Sequence, residues 1–287
     1  MKHIVITNYS DPVCVWCWGT EPIFRAMETH YPNRFSIRYV MGGMVRDLSD
    51  FDDEENGIGG GDADTINAQL REHLAESTAV HHMPVAVDKY HLFSERFNSS
   101  FPQNIAYKAA QIAAPDMADS FLRRIREATL TEGAVTGDYE VLDKLAEEFG
   151  LPMDAYREAL KSGEAEKAFK SDVDEAIAAK VQVFPTVPLT VNGKEETFGG
   201  YYTFDDYVAR IRKLSDGAIE PAKPDVSFEY LSRLLKQYHR LAAEEIRCAF
   251  DFETKEALDS WLAPYLADGK VAKEQLGGDY MITLASV

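Results

Sequence analysis

The chain of 287 residues contains only three cysteines and one pair of neighbouring histidines. Three cysteines cannot form the disulfide framework that a chain of this length would need. A structural zinc site usually has four ligands, and neither a second CxxC nor an HxxxH accompanies the single CxxC. His81 and His82 are adjacent, so their rings do not easily face one metal ion. We therefore expect no metal and no bound cofactor.

Positive charge and long apolar runs are also scarce. The 30 Lys and Arg residues are outnumbered by 48 Asp and Glu residues, and the formal net charge is -18. Nucleic acids and anionic membranes attract proteins with an excess of Lys and Arg. No apolar run approaches the roughly 18 residues that span a bilayer, and the N-terminus is too polar after Ile6 for a signal peptide. We expect a cytoplasmic protein that binds neither nucleic acid nor membranes.

The N-terminal part of the chain has the character of a strand, then a helix, then a strand. Residues 3–9 and 35–44 are rich in β-branched and apolar side chains, as buried strands are. Apolar residues between 23 and 31 recur at helical spacing. Two of the three cysteines, Cys14 and Cys17, lie between the first strand and this helix.

A long helical segment separates this unit from a second strand-containing unit. Helical periodicity runs from residue 64 to about residue 180. Asn192-Gly193 then lies between two strand-like runs, which predicts a hairpin, and a helix follows it. The order β-α-β, helices, β-β-α is the thioredoxin topology interrupted by a helical domain. The acidic, glycine-rich residues 45–64 lack the lysine of a phosphate-binding loop and are predicted to form a surface loop.

We therefore predict an α/β protein with a thioredoxin-like fold in two halves, residues 1–63 and 181–216. An inserted helical domain, 64–180, separates the halves, and a proline-containing linker, 217–225, follows the second half. Residues 226–287 are predicted to form a small winged-helix-like domain.

The prediction for this C-terminal segment depends on its order of elements. Three helical segments precede two short strands around Gly277-Gly278. The segment has seven Lys and Arg against ten Asp and Glu, whereas binding to DNA needs the opposite balance. We expect a module for protein interaction or for dimerisation.

The CxxC lies in the sequence SDPVCVWCWG. Cys14 is at the predicted start of a helix, where free N–H groups and the helix dipole favour a thiolate. Cys17 is one helical turn further on, within reach of a disulfide that Cys14 has attacked. This context favours a redox pair, with two structural core thiols as the alternative. Trp16 is either an apolar platform for substrate or a core aromatic residue, and Trp18 is predicted to lie in the core.

A second element of the predicted site is VFPTVPL. Catalytic domains with this topology place a cis-proline opposite the CxxC, just before the hairpin. Pro185 and Pro188 both qualify. We favour Pro185, because VPLTVNG then begins an uninterrupted strand.

Several motifs in this order resemble the DsbA family of thiol–disulfide oxidoreductases, in particular its cytoplasmic FrnE-like and dithiol-disulfide isomerase branch. The matching pieces are DPVCVWCWG, MGG, FNSSFPQNIAYKAA, AFKSDVDEA and VFPT, which cover roughly residues 2–216. The resemblance implies Cys14 as nucleophile, Cys17 as resolving thiol and Pro185 as cis-proline. Phe184 and Thr186 would flank that proline in the substrate-binding loop.

The resemblance also indicates a type of activity. Val15-Trp16 replaces the Pro-His that strongly oxidising periplasmic members carry between their cysteines, which favours a reductase or isomerase. The substrate would be a protein or small-molecule disulfide. Electrons would come from a low-molecular-weight thiol or a partner reductase.

Two other functions are known on similar scaffolds. The Spx adaptor of Gram-positive bacteria binds a protein for degradation, and this is the main alternative. The kappa-type glutathione transferases and 2-hydroxychromene-2-carboxylate isomerases usually carry serine in place of the nucleophilic cysteine. Both cysteines are present here, so dithiol chemistry is the favoured prediction.

Overall fold

The computed structural model describes residues 3–276 and 279–285 and has a mixed α/β architecture. The strands are β1 (Ile4–Ser10), β2 (Phe35–Met41), β3 (Asp52–Asp53), β4 (Ile58–Gly59), β5 (Thr186–Val191), β6 (Lys194–Gly199), β7 (Arg240–Ala242), β8 (Val271–Leu276) and β9 (Asp279–Leu284). The helices are α1 (Val15–Gly19), α2 (Glu21–His30), α3 (Ala63–His81), α4 (Phe101–Ala113), α5 (Pro115–Glu127), α6 (Tyr139–Phe149), α7 (Met153–Lys161), α8 (Glu164–Ala178), α9 (Phe204–Leu214), α10 (Phe228–Tyr238), α11 (Ala243–Ala249) and α12 (Lys255–Ala267).

A four-stranded sheet in the order β2-β1-β5-β6 forms the centre of the main body. β1 is parallel to β2 and antiparallel to β5, so Ile6 lies between Ile37 and Leu189. The hairpin predicted at Asn192-Gly193 is confirmed, because both residues adopt positive φ in the turn that joins β5 to β6. The CxxC follows the end of β1, and the loop before β5 ends at the same edge of the sheet.

The helix after the CxxC differs from the continuous helix that the sequence suggested. It is divided into α1 and α2 at Thr20, whose hydroxyl donates to the carbonyl oxygen of Cys17 at 2.7 Å. Pro22 explains the break, because a proline lacks the N–H that would continue the helix and is tolerated in a first turn. The helix that Cys14 begins is therefore only five residues long.

Other predicted elements also change at their ends. The strand predicted for 35–44 ends at Met41, before two glycines. The helical segment contains an irregular stretch from 82 to 100 with one 3₁₀ turn. A short strand, β7, precedes α11 and was missed because three residues carry no usable periodicity. Gly277 and Gly278, predicted to join the last two strands, lie outside the described residues.

The described residues form three large apolar clusters and one small one, which consists of Tyr9, Val40 and Ala176. The largest covers the central sheet with residues of α2, α4 and α5 among others. A second surrounds Trp18 and includes Ala242, Leu276 and Met281 from the C-terminal segment. The third lies within α10–β9 itself, where β7, β9 and β8 form an antiparallel sheet. No helix among the described residues is long and apolar enough to cross a membrane.

Candidate active site around Cys14 and Cys17

Cys14 immediately precedes α1, and its sulfur is held by backbone geometry. The Cys17 N–H donates to Cys14 Sγ at 3.3 Å, and the Trp18 N–H donates to the Cys14 carbonyl oxygen at 3.1 Å. Cys14 and Cys17 are free thiols, and their exposed fractions are 4% and 0%. Cys14 is therefore the more exposed of the two cysteines. Because α1 is only five residues long, the N–H of Cys17 stabilises negative charge on Cys14 Sγ more than the helix dipole does.

The turn before Cys14 is fixed by the buried carboxylate of Asp11. This group accepts hydrogen bonds from the N–H of Val13 at 3.0 Å and of Met44 at 2.7 Å. It also accepts from Asn104 Nδ2 at 2.9 Å and from Ser100 Oγ at 3.2 Å. Burial raises the pKa of Asp11, and these four donors oppose that rise. Asp11 thus joins the CxxC turn to the loop after β2 and to the start of α4.

The loop before β5 lies opposite Cys14. The Phe184–Pro185 peptide bond is cis, and Pro188 lies within β5. The Cys14 thiol donates to the Phe184 carbonyl oxygen at 3.6 Å. The Thr186 hydroxyl donates to the Val183 carbonyl oxygen at 2.7 Å, which closes the loop. The structure therefore brings Cys14 together with the loop that the sequence selected.

Trp16 and Trp18 differ in environment. Trp18 is fully buried, and its Nε1 donates to the Pro84 carbonyl oxygen at 3.0 Å. Trp16 is partly exposed, and aromatic rings from distant parts of the chain surround it. The ring centroids of His73, His81 and Tyr201 lie 6.0, 5.9 and 6.0 Å from that of Trp16.

His81 belongs to this aromatic surface and is uncharged at neutral pH. Burial lowers the pKa of His81 to about 4. Its Nδ1 accepts the Met83 N–H at 3.1 Å, so the other ring nitrogen carries the hydrogen. The ring lies against Gly19, where an added Cβ would be 2.6 Å from it. Sequence reasoning considered His81 only as a metal ligand and missed this packing role.

Burial and nearby polar groups act on the pKa of both thiols. Burial raises the pKa of Cys14, and its contact with Cys17 adds to the rise. Burial would also raise the pKa of Cys17, but the Cys14 hydrogen bond, the charge of Arg126 and the Ser10 hydroxyl outweigh it and lower that pKa. The sequence argument missed Arg126, which lies in another element, α5.

Within residues 3–276 and 279–285, no cluster of three or more His, Cys, Asp or Glu side chains could hold a metal ion. Cys248 is remote in sequence and lies in α11, where burial raises the pKa of its thiol.

Comparison with known proteins identifies the family and the fold. A family profile described as thioredoxin matches residues 8–208, which is more than two thirds of the chain. The chain belongs to this thioredoxin family. The predicted thioredoxin-like fold class is thereby confirmed, and the resemblance to DsbA-like proteins is confirmed at the level of the fold.

Individual relatives of this thioredoxin family member are of two kinds. ClpXP adapter proteins SpxH from Halalkalibacterium halodurans and Shouchella clausii are 28% and 27% identical. Both matches cover 89% of this chain, and they cover 81% and 80% of the relatives. The cytosolic disulfide reductase DsbM from Pseudomonas aeruginosa has a similar solved structure, with a TM-score of 0.54 and 20% identity. That match covers 74% of this chain and 95% of DsbM, and it shows a shared fold.

Proposed function

We propose that this protein catalyses thiol–disulfide exchange through Cys14 and Cys17, as a reductase or isomerase. The observation that carries the proposal is the position of Cys14 Sγ, 3.3 Å from the Cys17 N–H and 3.6 Å from the Phe184 carbonyl oxygen. A nucleophilic thiol beside a resolving thiol and a backbone loop is the arrangement that disulfide exchange needs. The neutral Trp16 surface next to it fits a disulfide flanked by apolar groups.

The proposed reaction balances in two steps. The Cys14 thiolate attacks one substrate sulfur; the substrate S–S bond breaks, a disulfide forms between Cys14 and the substrate, and one substrate thiolate leaves. Cys17 then gives its proton to the substrate thiolate that has left and attacks Cys14 Sγ, which releases the second substrate thiolate and forms the Cys14–Cys17 disulfide. Two electrons have moved to the substrate. A low-molecular-weight thiol or a partner reductase restores the dithiol.

The loop residues are assigned separate tasks. We expect Pro185 and the Phe184 backbone to align the substrate beside Cys14, with Trp16 contacting its side chains. Thr186 holds the loop through its bond to Val183.

Single cysteine variants test the proposal. Cys14→Ser should abolish reduction of a model protein disulfide, whereas Cys17→Ser should accumulate mixed disulfides through Cys14. Cys248→Ser is the matched control and should keep full activity. Unchanged activity in Cys14→Ser would refute the proposal.

A second candidate function is that of a protein adaptor. The SpxH matches cover 89% of the chain and so must extend beyond residue 225, whereas the DsbM match covers 74%. The C-terminal segment is therefore the part that supports an adaptor. Its order of elements, α10-β7-α11-α12-β8-β9, fits the winged-helix-like interaction module that we propose for residues 226–287. We also propose the remaining domain limits as the sequence predicted them, and a cytoplasmic location like that of DsbM.

The two functions are separable by experiment. An adaptor should bind the protease ClpXP or its substrate equally well when both Cys14 and Cys17 are replaced by serine. A pull-down with purified components gives this result directly, and light scattering on the same samples tests for a homodimer. Loss of binding in the double variant would tie the interaction to the redox pair.

A further inference from the structure

A buried histidine belongs to the aromatic surface beside the CxxC. Trp16 of α1, His73 of α3 and Tyr201 after β6 are partly exposed, whereas His81, the last residue of α3, is 1% exposed. The His81 ring is nearly perpendicular to the Trp16 ring, at 85°, and its centroid is 5.9 Å away. It is tilted by 58° to the Tyr201 ring, 6.3 Å away. His81 therefore packs against two of the partly exposed rings while it is itself inaccessible to a substrate.

The atoms of the His81 ring have different surroundings. Nδ1 accepts the Met83 N–H at 3.1 Å, and Cδ2 and Cγ face Gly19, where an added Cβ would lie 2.6 and 2.7 Å from them. The buried Nε2 makes no hydrogen bond with any of the described residues. The edge of an aromatic ring is electropositive and its face is electronegative, so perpendicular packing is favourable. The arrangement of His81 and Trp16 brings such an edge and face together.

Histidine combines two properties at position 81. Its Nδ1 accepts a hydrogen bond in the turn after α3, where the Met83 N–H is buried and needs an acceptor. Its ring packs against Trp16. Asparagine would keep an acceptor at the same distance from the backbone but has no ring, whereas phenylalanine would keep a ring but has no acceptor. These two substitutions therefore separate the role of His81 in the turn from its contact with Trp16.

We propose that His81 is a positioning residue that holds the Trp16 indole in place for an aromatic side chain next to the substrate disulfide. The inference rests on the proposed exchange function and names a substrate class for the same site. Trp16 is two residues from Cys14, and its ring centroid is 6.0 Å from those of His73 and Tyr201. Aromatic pairs gain more free energy than their buried area alone provides. An indole that is already held by packing loses little side-chain entropy on binding, which strengthens the preference.

Two peptide disulfides test this substrate preference. Both are symmetrical dimers of one short peptide, with phenylalanine or alanine before the cysteine, and their uncatalysed reduction by a small thiol gives the reference ratio. The kcat/KM of the unchanged protein should be about tenfold higher for the phenylalanine peptide, relative to that reference. Trp16→Ala and His81→Asn should lower this preference to about threefold or less, chiefly by raising KM, because the contact is made both before and during the reaction. His81→Phe should keep the preference.

His82→Asn is the matched control, because it makes the same substitution at the neighbouring, exposed histidine. The φ of 59° at His82 is one that asparagine tolerates, so the preference should be unchanged. His81→Phe leaves the Met83 N–H unpaired and should lower the urea midpoint, yet the preference should survive. If circular dichroism shows that His81→Asn does not fold, His81→Leu replaces it, since leucine and phenylalanine both lack the acceptor and only phenylalanine has a ring.

Two results would overturn the proposal. One is an undiminished preference for the phenylalanine peptide in His81→Asn or, where it is used, in His81→Leu. The other is a preference that falls as far in His81→Phe as in the variant without a ring, because His81 would then act only through the stability of the turn.

The same measurements separate this inference from the proposed function. If the unchanged protein reduces both peptides with the reference ratio, and Cys14→Ser reduces neither, the inference about His81 is wrong and the exchange function stands. If the unchanged protein reduces neither peptide, or Cys14→Ser reduces them equally well, the proposed function is itself refuted.

Discussion

Gly42 allows the loop before β5 to reach the CxxC. The Phe184 ring occupies the space beside its Cα, so that an added Cβ would lie 2.0 Å from the nearest ring atom. The Gly42 N–H also donates to the Ser10 carbonyl oxygen at 2.8 Å, where the pairing of β1 with β2 ends. The first glycine of MGG is therefore required because an aromatic ring from a distant part of the chain packs closely against its Cα.

Gly42→Ala should impair the candidate site. The methyl group forces the Phe184 ring away and moves its carbonyl from Cys14, so we expect roughly tenfold slower disulfide reduction. Overpacking should also lower the free energy of unfolding by about 1–3 kcal/mol. Disulfide reduction rates and urea unfolding measure both effects. Gly137→Ala is the control, since its nearest neighbour, in Phe97, is 3.3 Å away; equal effects in both variants would contradict the argument.

At the scale of elements, α5 connects the main body to the C-terminal segment. Its sequence SFLRRIRE is typical of an amphipathic helix that exposes its arginines to solvent, yet Arg123 and Arg126 are both buried. Arg123 forms two hydrogen bonds with Glu245 of α11, one of them from Nε at 2.8 Å, and its Nη1 bonds Glu127 at 2.7 Å. Its guanidinium also lies 5.2 Å from the Trp18 ring. Docking of α11 supplies the anion that makes burial of Arg123 tolerable.

Glu245→Gln should therefore destabilise the whole protein. Removing one partner of a buried ion pair costs about 3–5 kcal/mol, and we expect the lower end because Glu127 still pairs with Arg123. Urea unfolding monitored by tryptophan fluorescence measures the loss. The neighbouring Glu244→Gln is the control: its carboxylate pairs with the partly exposed Arg247, so about 1 kcal/mol or less is expected. A loss in Glu245→Gln no larger than in this control would show that the buried pair contributes little.

At the scale of the whole molecule, α2 is the surface on which the C-terminal segment docks. Tyr238 of α10 donates its hydroxyl to Glu28 Oε1 at 2.6 Å, and Tyr230 donates to the Glu28 carbonyl oxygen at 3.0 Å. The guanidinium carbon of Arg25 lies 3.6 Å from the centroid of the Tyr238 ring. These contacts and the shared apolar cluster around Trp18 join the C-terminal segment directly to the candidate redox site.

Glu28 should make stability depend on pH. Burial raises the pKa of Glu28 to about 7, although Arg25 opposes the rise, and the side chain is 22% exposed. The folded state then binds a proton more tightly than the unfolded state does. The stabilising contribution of Glu28 to the free energy of unfolding is therefore fully present below the unfolded pKa of about 4.3. It is lost as pH rises through about 7.

The comparison of Glu28→Gln with the unchanged protein measures this contribution. Between about pH 5 and about pH 8, the unchanged protein should lose up to roughly 3 kcal/mol more unfolding free energy than the glutamine variant. Glu55→Gln, in an exposed loop, should keep the original pH dependence. Identical pH dependence in Glu28→Gln and the unchanged protein would refute the assignment.

The sequence by itself determined the local features of this protein. The strands around the CxxC, the hairpin at Asn192-Gly193 and the choice of Pro185 over Pro188 followed from periodicity, turn chemistry and a resemblance carried by short motifs. These properties depend on residues that are near one another in the chain. The helix break at Thr20 was also within reach, because Pro22 is its local cause.

Only the tertiary structure decided which polar groups are buried, and against what. The hydrogen bond from Arg126 to Ser10, the contact of Phe184 with Gly42 and the ion pair between Arg123 and Glu245 each join distant parts of the chain. A helical pattern places an arginine on the polar face of its helix. It does not show which other element of the chain packs against that face. Arg123 and Arg126 are both covered by other elements, so the tertiary packing decides where these two charges lie and the CxxC motif alone does not.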